Sequence, residues 1–362
     1  MNATTAADPT EPPIRIGALA PLSRPGWVEA GRHLIAGAEL AVEEVNATGG
    51  VRGRRLELTV RDTAADPQRA EAAVTELAGL GVTAIVGEYH SVAARAAAAR
   101  ADRLGVPFLC SSAVLDALTD GPTDWVARLA PAQSHAWRVY GDHLLAAGHR
   151  HLAVAVEPSV YWAAGTALLR TAFEQRDGVV SEFDARALDL TAVARSGATA
   201  LLLLCGFPDP AVPVVRAVRR DPRLAGLLIG APAGQPEFAE WAGLLGADGD
   251  SVPFLRYLPE RPGPRQARVE STLRQRLAAA PSFVAFEGHD AVTVLAGALR
   301  GHGADRATVA AGWSGLAVDG TRGTVRFSRV PGVGVRQWAW PPVQVAERDP
   351  ALPDGFRVLR TG

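Results

Sequence analysis

The amino-acid sequence predicts an α/β protein that contains two doubly wound domains with mostly parallel sheets. Strand-like and helix-like segments alternate as far as residue 120, and a second alternating set begins near His151. The length of 362 residues also exceeds what one hydrophobic core usually serves. Together these observations favour two domains of the same general type.

The first domain reads as strands and helices in strict alternation. An apolar strand, IRIGALAPL, starts at Ile14, and residues 29–45 place apolar side chains at spacings of three and four, which predicts a helix. Residues 56–60 alternate between apolar and polar, as in a half-buried strand. A helix over residues 67–80 then leads into a short apolar strand at residues 82–86.

Two polar turns follow neighbouring strands of this domain. Glu88-Tyr89-His90-Ser91 comes after the strand at 82–86, and Ser111-Ser112 comes after a second apolar strand at 106–110. Ser91 stands where the N-cap of an Ala-rich helix is expected. A right-handed βαβ unit brings both turns to the sheet edge where ligands bind in open α/β sheets. Hydroxyls and helix-start N–H groups suit an anionic group, although either turn alone is also common as structure.

The rest of the chain contains a second set of alternating strands and helices, followed by a C-terminal tail. We expect the tail after Ser251 to complete the sheets of both domains, because its elements are too few to bury a core of their own. The predicted segments after residue 150 are strands at 152–156, 179–183, 198–204 and 227–230, helices at 161–175, 209–220, 237–245, 265–280 and 282–299, and two strand-like stretches, DGTRGTVRFS and GVRQWAWPPVQVAERD.

Composition excludes several classes of partner. The net charge of −1 gives no reason to expect nucleic acid, and no run of about 18 apolar residues predicts a membrane span. Cys110 and Cys205 fall in different predicted domains, so we expect no disulfide between them and both thiols to be reduced. His143, His149 and His151 lie close together, but their spacing fits no zinc pattern, so we expect no metal and no cofactor.

Several motifs in order resemble the type I periplasmic solute-binding proteins, in the branch that binds leucine, isoleucine and valine for ABC importers. The resemblance runs from Ile14 to Arg348 and rests on IGALAPLS, GAELAVEEVNATGGVRGRRLELTVRDTAADPQRA, VGEYHS, VPFLCSSA, FEGHDAVTVLAGAL and DGTRGTVRFS. It implies a Venus-flytrap protein whose two lobes are joined by three crossover strands and enclose the ligand between them by hinge closure.

The resemblance also implies where the lobes begin and end. We expect lobe 1 to comprise residues 14–128 and 257–329, and lobe 2 to comprise residues 129–256 and 330–362. Residues 1–13, which are polar and Pro-rich, are predicted to be disordered. This segment has neither the basic start nor the apolar run of a signal peptide, and it has no lipobox cysteine. The location is therefore open: extracytoplasmic by the resemblance, or cytoplasmic.

Residues carried over from the family suggest a ligand site. Ser91 and the Ser111-Ser112-Ala113 turn would hold an amino acid's carboxylate and ammonium, and Trp27 would cover its side chain. The remaining candidates are Tyr89 and His90 beside Ser91, Tyr161, Phe207 and Pro232 in lobe 2, and Glu287, His289 and Asp290 at a helix start, where the family more often has Tyr in place of His289.

One departure from the family concerns the ligand's charge. The amino-acid binders carry an acid after the strand that corresponds to residues 227–230, whereas this chain has Pro232 there. Either the ligand has no ammonium, as in a carboxylic acid or an amide, or Glu287 and Asp290 replace the missing acid. We favour the first, because a buried ammonium without a partner is costly.

The predicted function is therefore ligand capture by a monomer that serves an ABC permease. A cytoplasmic sensor of the same fold that acts on a regulator protein is the alternative, because fold alone does not separate transport from sensing. A hydrolase is disfavoured. The nearest string to a nucleophile elbow, Gly312-Trp313-Ser314-Gly315, lacks the required spacing and follows no predicted strand.

Overall fold

The computed structural model describes residues 11–352 and 355–362, and these form two compact units. Unit 1 contains the chain up to Ala132 together with Arg261–Pro341. Unit 2 contains Gln133–Glu260 and Pro342–Gly362. The chain thus passes from one unit to the other three times. Residues 1–10 of the segment predicted to be disordered lie outside the described residues, and residues 11–13 are exposed and belong to no helix or strand.

The N-terminal section of unit 1 alternates strands and helices as its hydrophobic periodicity predicts. Its elements are β1 (Ile14–Ala20), α1 (Val28–Ala47), β2 (Leu56–Asp62), α2 (Pro67–Gly79), β3 (Ala84–Gly87), α3 (Ser91–Leu104), β4 (Phe108–Cys110) and β5 (Val126–Arg128).

The first section of unit 2, Gln133–Glu260, alternates in the same way and ends in a short strand. Its elements are α4 (Gln133–Ala146), β6 (His151–Val156), α5 (Val160–Glu174), β7 (Val179–Asp184), α6 (Leu190–Ser196), β8 (Ala200–Leu204), α7 (Ala211–Arg220), β9 (Leu228–Gly230), α8 (Ala239–Leu245) and β10 (Phe254–Arg256).

The tail returns to unit 1 and then to unit 2. In unit 1 it forms α9 (Pro264–Leu277), α10 (Phe283–His302), α11 (Arg306–Gly312), β11 (Ala317–Asp319), β12 (Thr324–Ser328) and β13 (Arg336–Trp338). In unit 2 it forms β14 (Gln344–Arg348) and β15 (Phe356–Thr361).

The sheet of unit 1 has the order β11-β12-β13-β5-β4-β3-β1-β2. The strands from β13 to β2 are parallel to their neighbours, whereas β11 and β12 are antiparallel additions. Parallel neighbours end at the same edge, so the loops after β3, β4 and β5 emerge together. The tail strands β11, β12 and β13 join this sheet, which confirms for unit 1 the prediction that the tail completes existing sheets; β14 and β15 instead form a separate sheet with β10, so the prediction is wrong for unit 2.

Unit 2 has a parallel sheet of order β7-β6-β8-β9 and a three-stranded antiparallel sheet of order β10-β14-β15. A bridge between Ala231 and Phe254 connects the end of β9 to β10. Two parallel-sheet α/β units confirm the predicted fold class.

Close helix packing supports the sheet of unit 1. Helices α1 and α10 approach so closely that a Cβ at Gly37 would lie 1.8 Å from the carbonyl oxygen of Ala285. A Cβ at Gly288 would lie 2.0 Å from the carbonyl oxygen of Leu34. Only glycine fits at these two positions, which fixes where α10 lies against α1.

The limits of the units differ from the predicted lobe limits chiefly at the last passage. The predicted limits after residues 128 and 256 compare with Ala132 and Glu260 in the structure, whereas the limit after 329 compares with Pro341. The last difference arises because β13 pairs in parallel with β5, which adds residues 336–338 to the sheet of unit 1. No helix in the described part of the chain is long and apolar enough to cross a membrane.

Candidate functional site

Two polar loops lie side by side at the carboxyl edge of the unit 1 sheet. Gly87 at the end of β3 pairs with Cys110 at the end of β4. The N–H of Ser111 donates to the carbonyl of Gly87 at 2.9 Å, and the N–H of Ala113 donates to the carbonyl of Glu88 at 3.1 Å. The two predicted turns are therefore joined by main-chain hydrogen bonds.

Ser91 connects these loops instead of capping its helix. Helix α3 begins at Ser91, and its N-cap residue, His90, makes no side-chain capping bond. The Oγ of Ser91 accepts a hydrogen bond from the N–H of Leu115 at 3.3 Å. The prediction that Ser91 is the N-cap is therefore wrong, because this tertiary bond uses its hydroxyl.

The Ser111-Ser112 turn presents two hydroxyls beside a buried positive charge. The two Oγ atoms lie 3.1 Å apart, and both side chains are buried. The fully buried guanidinium of Arg128 donates to the carbonyl of Val114 at 3.1 Å and to that of Leu115 at 2.6 Å. A fixed positive charge behind hydroxyl donors favours an anion at this turn.

Glu88, which the sequence analysis did not select, joins three loops of this edge. Its buried carboxylate accepts the N–H groups of Tyr89 and His90, both at 2.8 Å, and the hydroxyl of Thr63 at 2.5 Å. Burial raises the pKa of Glu88 to about 7, although these hydrogen bonds oppose the rise. The carboxyl group therefore exchanges its proton near neutral pH.

Trp27, Tyr89 and His90 form an aromatic cluster beside the two turns. The rings of Trp27 and Tyr89 meet edge to face at 5.6 Å, and those of Tyr89 and His90 at 5.3 Å. The Nε2 of His90 accepts the main-chain N–H of Trp27 at 3.0 Å. Burial lowers the pKa of His90 to about 4, so its imidazole is neutral at neutral pH.

Asp62 fixes the start of the loop that carries Trp27. Its carboxylate accepts the N–H of Leu22 at 2.7 Å, the N–H of Ser23 at 3.2 Å and the hydroxyl of Ser23 at 2.5 Å. Burial on its own would raise the pKa of Asp62, but these bonds and that from Ala64 hold it below its usual value. The Trp27 loop is thus anchored at both ends.

Glu287 and Asp290 lie in an internal ion-pair network of unit 1. The guanidinium of Arg322 contacts Glu287 at 3.2 Å and Asp290 at 2.9 Å, and the three side chains are buried. Thr321 donates two further hydrogen bonds to Asp290, at 2.6 and 2.8 Å. Burial alone would raise the pKa of Asp290, but its hydrogen bonds and the Arg322 charge hold that pKa at about 2.

His289, the third candidate on α10, faces α1. Its Nε2 lies 3.1 Å from the carboxylate of Glu44. Burial would lower the pKa of His289, but the neighbouring carboxylates of Asp290 and Glu44 raise it above its ordinary value. These contacts account for all three α10 residues by helix packing and charge pairing inside unit 1.

Tyr161, Phe207 and Pro232 occupy one edge of the parallel sheet in unit 2. They follow β6, β8 and β9, which are parallel neighbours. The ring of Tyr161 lies 5.8 Å from that of Trp137, and the ring of Phe207 lies 5.8 Å from that of Trp241. The aromatic candidates are thus held by other aromatic rings, and Pro232 is buried in the turn after β9.

A cavity of about 430 Å³ opens at the same edge of unit 2, at the ends of β6 and β7. Glu157 contributes to its wall, and its carboxylate accepts the N–H of Gly206 at 2.6 Å and pairs with Arg186 at 2.6 Å. This acid, which the sequence analysis did not select, therefore has partners within unit 2.

Part of the sequence is similar to that of known proteins. A Leu/Ile/Val-binding protein homolog 7 of Brucella abortus is 36% identical over 126 residues, which cover 34% of this chain and 31% of the relative. The match thus spans about a third of that relative's length.

Solved structures share the fold at low sequence identity. A leucine-binding protein of Thermotoga maritima is 19% identical with a TM-score of 0.81 and covers 96% of this chain and 98% of its own. A solute-binding protein of R. palustris, solved in complex with benzoate, is 18% identical with a TM-score of 0.80 and covers 97% of this chain and 96% of its own.

The family profile described as periplasmic binding protein matches residues 13–346. This range contains every strand from β1 to β13 and both polar turns of unit 1. The resemblance predicted from the sequence motifs is confirmed, and the chain belongs to the periplasmic binding protein family.

Proposed function

We propose that this protein is a solute-binding receptor that captures a small carboxylate for an ABC importer and releases it unchanged. The observation that carries the proposal is the joining of the Ser91 and Ser111–Ala113 turns at one sheet edge, with the Arg128 charge behind them. Buried hydroxyls and a buried cation suit a carboxylate, which is acceptor-only and anionic.

Helix α3 strengthens this preference. It is 14 residues long and begins at Ser91, so the first N–H groups of the helix point toward the edge. Its N-terminal dipole favours negative charge there. The family consists of binding proteins, which supports capture without turnover.

We further propose that the ligand has no ammonium. Pro232 supplies no charge, and the acids considered as its replacement have other partners: Glu287 and Asp290 pair with Arg322, and Glu157 pairs with Arg186. Relatives of this fold include both a leucine-binding protein and a benzoate complex, so the fold accommodates either class. Trp27 and Tyr89, whose rings meet edge to face beside the two turns of unit 1, are the proposed contacts for an apolar or aromatic body.

Calorimetry with matched pairs tests the proposal. Leucine is compared with 4-methylpentanoate and phenylalanine with 3-phenylpropionate, and benzoate is added as a carboxylate bonded directly to an aromatic ring. We expect a des-amino compound to bind more tightly than its amino acid, and to stabilise the fold by about 2.7 kcal/mol at a hundredfold excess over Kd. Tighter binding of an amino acid would reject the ligand class, and chemical consumption of a bound compound would reject the receptor function.

Paired variants locate the site. Ser112→Ala removes one proposed donor, and we expect Kd for the bound carboxylate to rise about tenfold, the effect of roughly 1.4 kcal/mol. The matched control is Ser314→Ala, because Ser314 is exposed on a surface turn of the same unit. Equal Kd values for Ser112→Ala and the wild type would show that the Ser111–Ala113 turn does not bind the ligand.

A further inference from the structure

Glu88 lies at the centre of the unit 1 edge, and the proposed function leaves its buried acid without a role. Its side chain is 0% exposed. One carboxylate oxygen accepts the N–H groups of Tyr89 and His90, and the other accepts the hydroxyl of Thr63. The acid therefore positions the two residues that precede Ser91.

The main chain of Glu88 reaches the second turn as well. Its carbonyl accepts the N–H of Ala113, and the preceding carbonyl of Gly87 accepts the N–H of Ser111. Glu88 is thus bonded to both turns that are proposed to hold the ligand carboxylate. A ligand at these turns adds a negative charge next to the loop that Glu88 organises.

The groups on the loops and strand ends nearest to Glu88 do little to stabilise its ionised form. Burial is the largest cause that raises the pKa of Glu88, and the negative charge of Asp62 at the end of β2 raises it further. His90, on the same loop, is neutral, because burial lowers its pKa to about 4. Cys110 at the end of β4 is a neutral thiol, since burial raises its pKa to about 11.

Two further groups of charges complete the surroundings. Arg128 of β5 lies close enough to oppose the rise in the Cys110 pKa, and it donates to the loop after Ser112. On α10, which packs against β3 and β4, the charged residues of the N-terminal half are engaged elsewhere. These are Glu287 and Asp290 with Arg322, and His289 with Glu44.

We propose that Glu88 takes up a proton when a carboxylate ligand binds at the Ser91 and Ser111–Ala113 turns, so that ligand and proton bind together. The inference rests on the proposed function. Two carboxylates that share a poorly hydrated site cannot both stay ionised at low cost, so the second negative charge favours protonation of the first. Linkage then requires that binding and proton uptake strengthen each other.

The existing hydrogen bonds accommodate this proton. The oxygen that accepts from Tyr89 and His90 keeps both bonds when the other oxygen is protonated. The new O–H donates to the hydroxyl oxygen of Thr63, which reverses that bond without moving a heavy atom. Glu88 thus acts as a positioning residue in both protonation states.

The ligand-free protein provides the first test. The chain has four tyrosines, so selective ¹⁵N-tyrosine labelling of the full chain resolves the Tyr89 amide. We expect its resonance to titrate with a midpoint near pH 7, to lose this titration in Glu88→Gln, and to titrate at higher pH in Thr63→Val, which lacks the bond that lowers the pKa. Glu57→Gln, at a half-exposed glutamate on β2, should leave the curve unchanged. A flat Tyr89 resonance between pH 5 and 9 overturns the inference.

Calorimetry with benzoate provides the second test. Heats measured at pH 8 in phosphate and in Tris, which differ in ionisation enthalpy, should report uptake approaching one proton per benzoate. We expect the uptake to vanish in Glu88→Gln, and the wild-type affinity to fall by up to tenfold per pH unit above neutrality. Benzoate that binds with identical heats in both buffers overturns the inference while the carboxylate site stands. Failure of benzoate and of the other carboxylates to bind overturns the proposed function itself, so the two failures are distinguishable.

Discussion

The imidazole of His90 accepts the main-chain N–H of Trp27 at 3.0 Å, a bond between residues 63 positions apart in the chain. It joins the loop after β1 to the loop after β3, both at the edge proposed to bind ligand. Only a neutral imidazole accepts such a bond, because both ring nitrogens of the imidazolium are donors. The position of Trp27 therefore depends on the protonation state of His90.

The first prediction follows from the low pKa of His90. An unfolded histidine titrates near 6.5, whereas folding lowers the pKa of His90 to about 4. The stability that its neutral form contributes is complete above pH 6.5 and is lost as the pH falls toward 4, since only the unfolded chain binds the proton there. Between pH 7 and 4.5, we expect the free energy of unfolding of His90→Gln, whose amide oxygen accepts without titrating, to fall by about 2 kcal/mol less than that of the wild type.

Urea unfolding at the two pH values measures this difference. His33 needs the same experiment, because burial lowers its pKa to about 4 as well, and its Nδ1 accepts the N–H of Ser282 at 3.0 Å. His33→Gln should therefore show a similar reduction, and the double variant should show the sum. Identical pH dependence in the wild type and His90→Gln would contradict the assigned role of His90.

The second prediction concerns the contact between α1 and α10. Gly37→Ala would place a methyl group 1.8 Å from the carbonyl oxygen of Ala285, so the helices must separate. We expect a loss of about 2 to 3 kcal/mol or more in the free energy of unfolding. The matched control is Gly301→Ala on α10, where the added Cβ would have no atom from outside its own stretch of helix within 4 Å. Helix propensity should make this control neutral or more stable by up to about 1 kcal/mol. Similar midpoints in urea for both variants would argue against the close packing.

The third prediction concerns the buried ion pairs of Arg322. Arg322→Met leaves the carboxylates of Glu287 and Asp290 buried without their cation, and we expect a loss of about 3 to 5 kcal/mol. Arg274→Met removes only an exposed i,i+4 pair with Glu270 and should cost less than about 1 kcal/mol. Chemical denaturation compares the two variants. A small loss for Arg322→Met would mean that these acids have another role, including the ligand contact first considered for them.

Hydrophobic periodicity predicted most of the fold, and its failures are local. Helix α6 spans seven residues and β5 spans three, so neither is long enough to show a period. Helix α4 was missed although it spans 14 residues, because QSHAWRVYGDHLLA mixes polar and aromatic side chains on its buried face. In these elements, burial in the finished fold decides the structure more than the local pattern.

The site residues divide in the same way. Ser91, Ser111 and Ser112 could be predicted, because a parallel sheet brings successive strand ends to one edge. Glu88 and Arg128 could not, because their importance comes from long-range bonds, such as that from Arg128 to Gln337, which is 209 positions away. Glu287 and Asp290 look like candidates in sequence, but their cation, Arg322, lies more than 30 positions further along the chain.

The last prediction concerns a substitution that introduces a carboxylate at position 232, where proline carries no charge. Pro232 follows β9 at the unit 2 edge, where the branch that binds amino acids has an acid. We expect Pro232→Glu to improve binding of leucine relative to 4-methylpentanoate by about tenfold or more, since a charge-assisted hydrogen bond contributes roughly 1.5 to 3 kcal/mol. Pro232→Ala is the matched control, because it removes the ring without adding charge and should keep the wild-type preference. Calorimetry with both ligands on both variants measures the ratio, and thermal unfolding verifies that each variant is folded. An unchanged ratio in folded Pro232→Glu would show that this position does not meet the ligand, and the argument against an ammonium would then lose its basis.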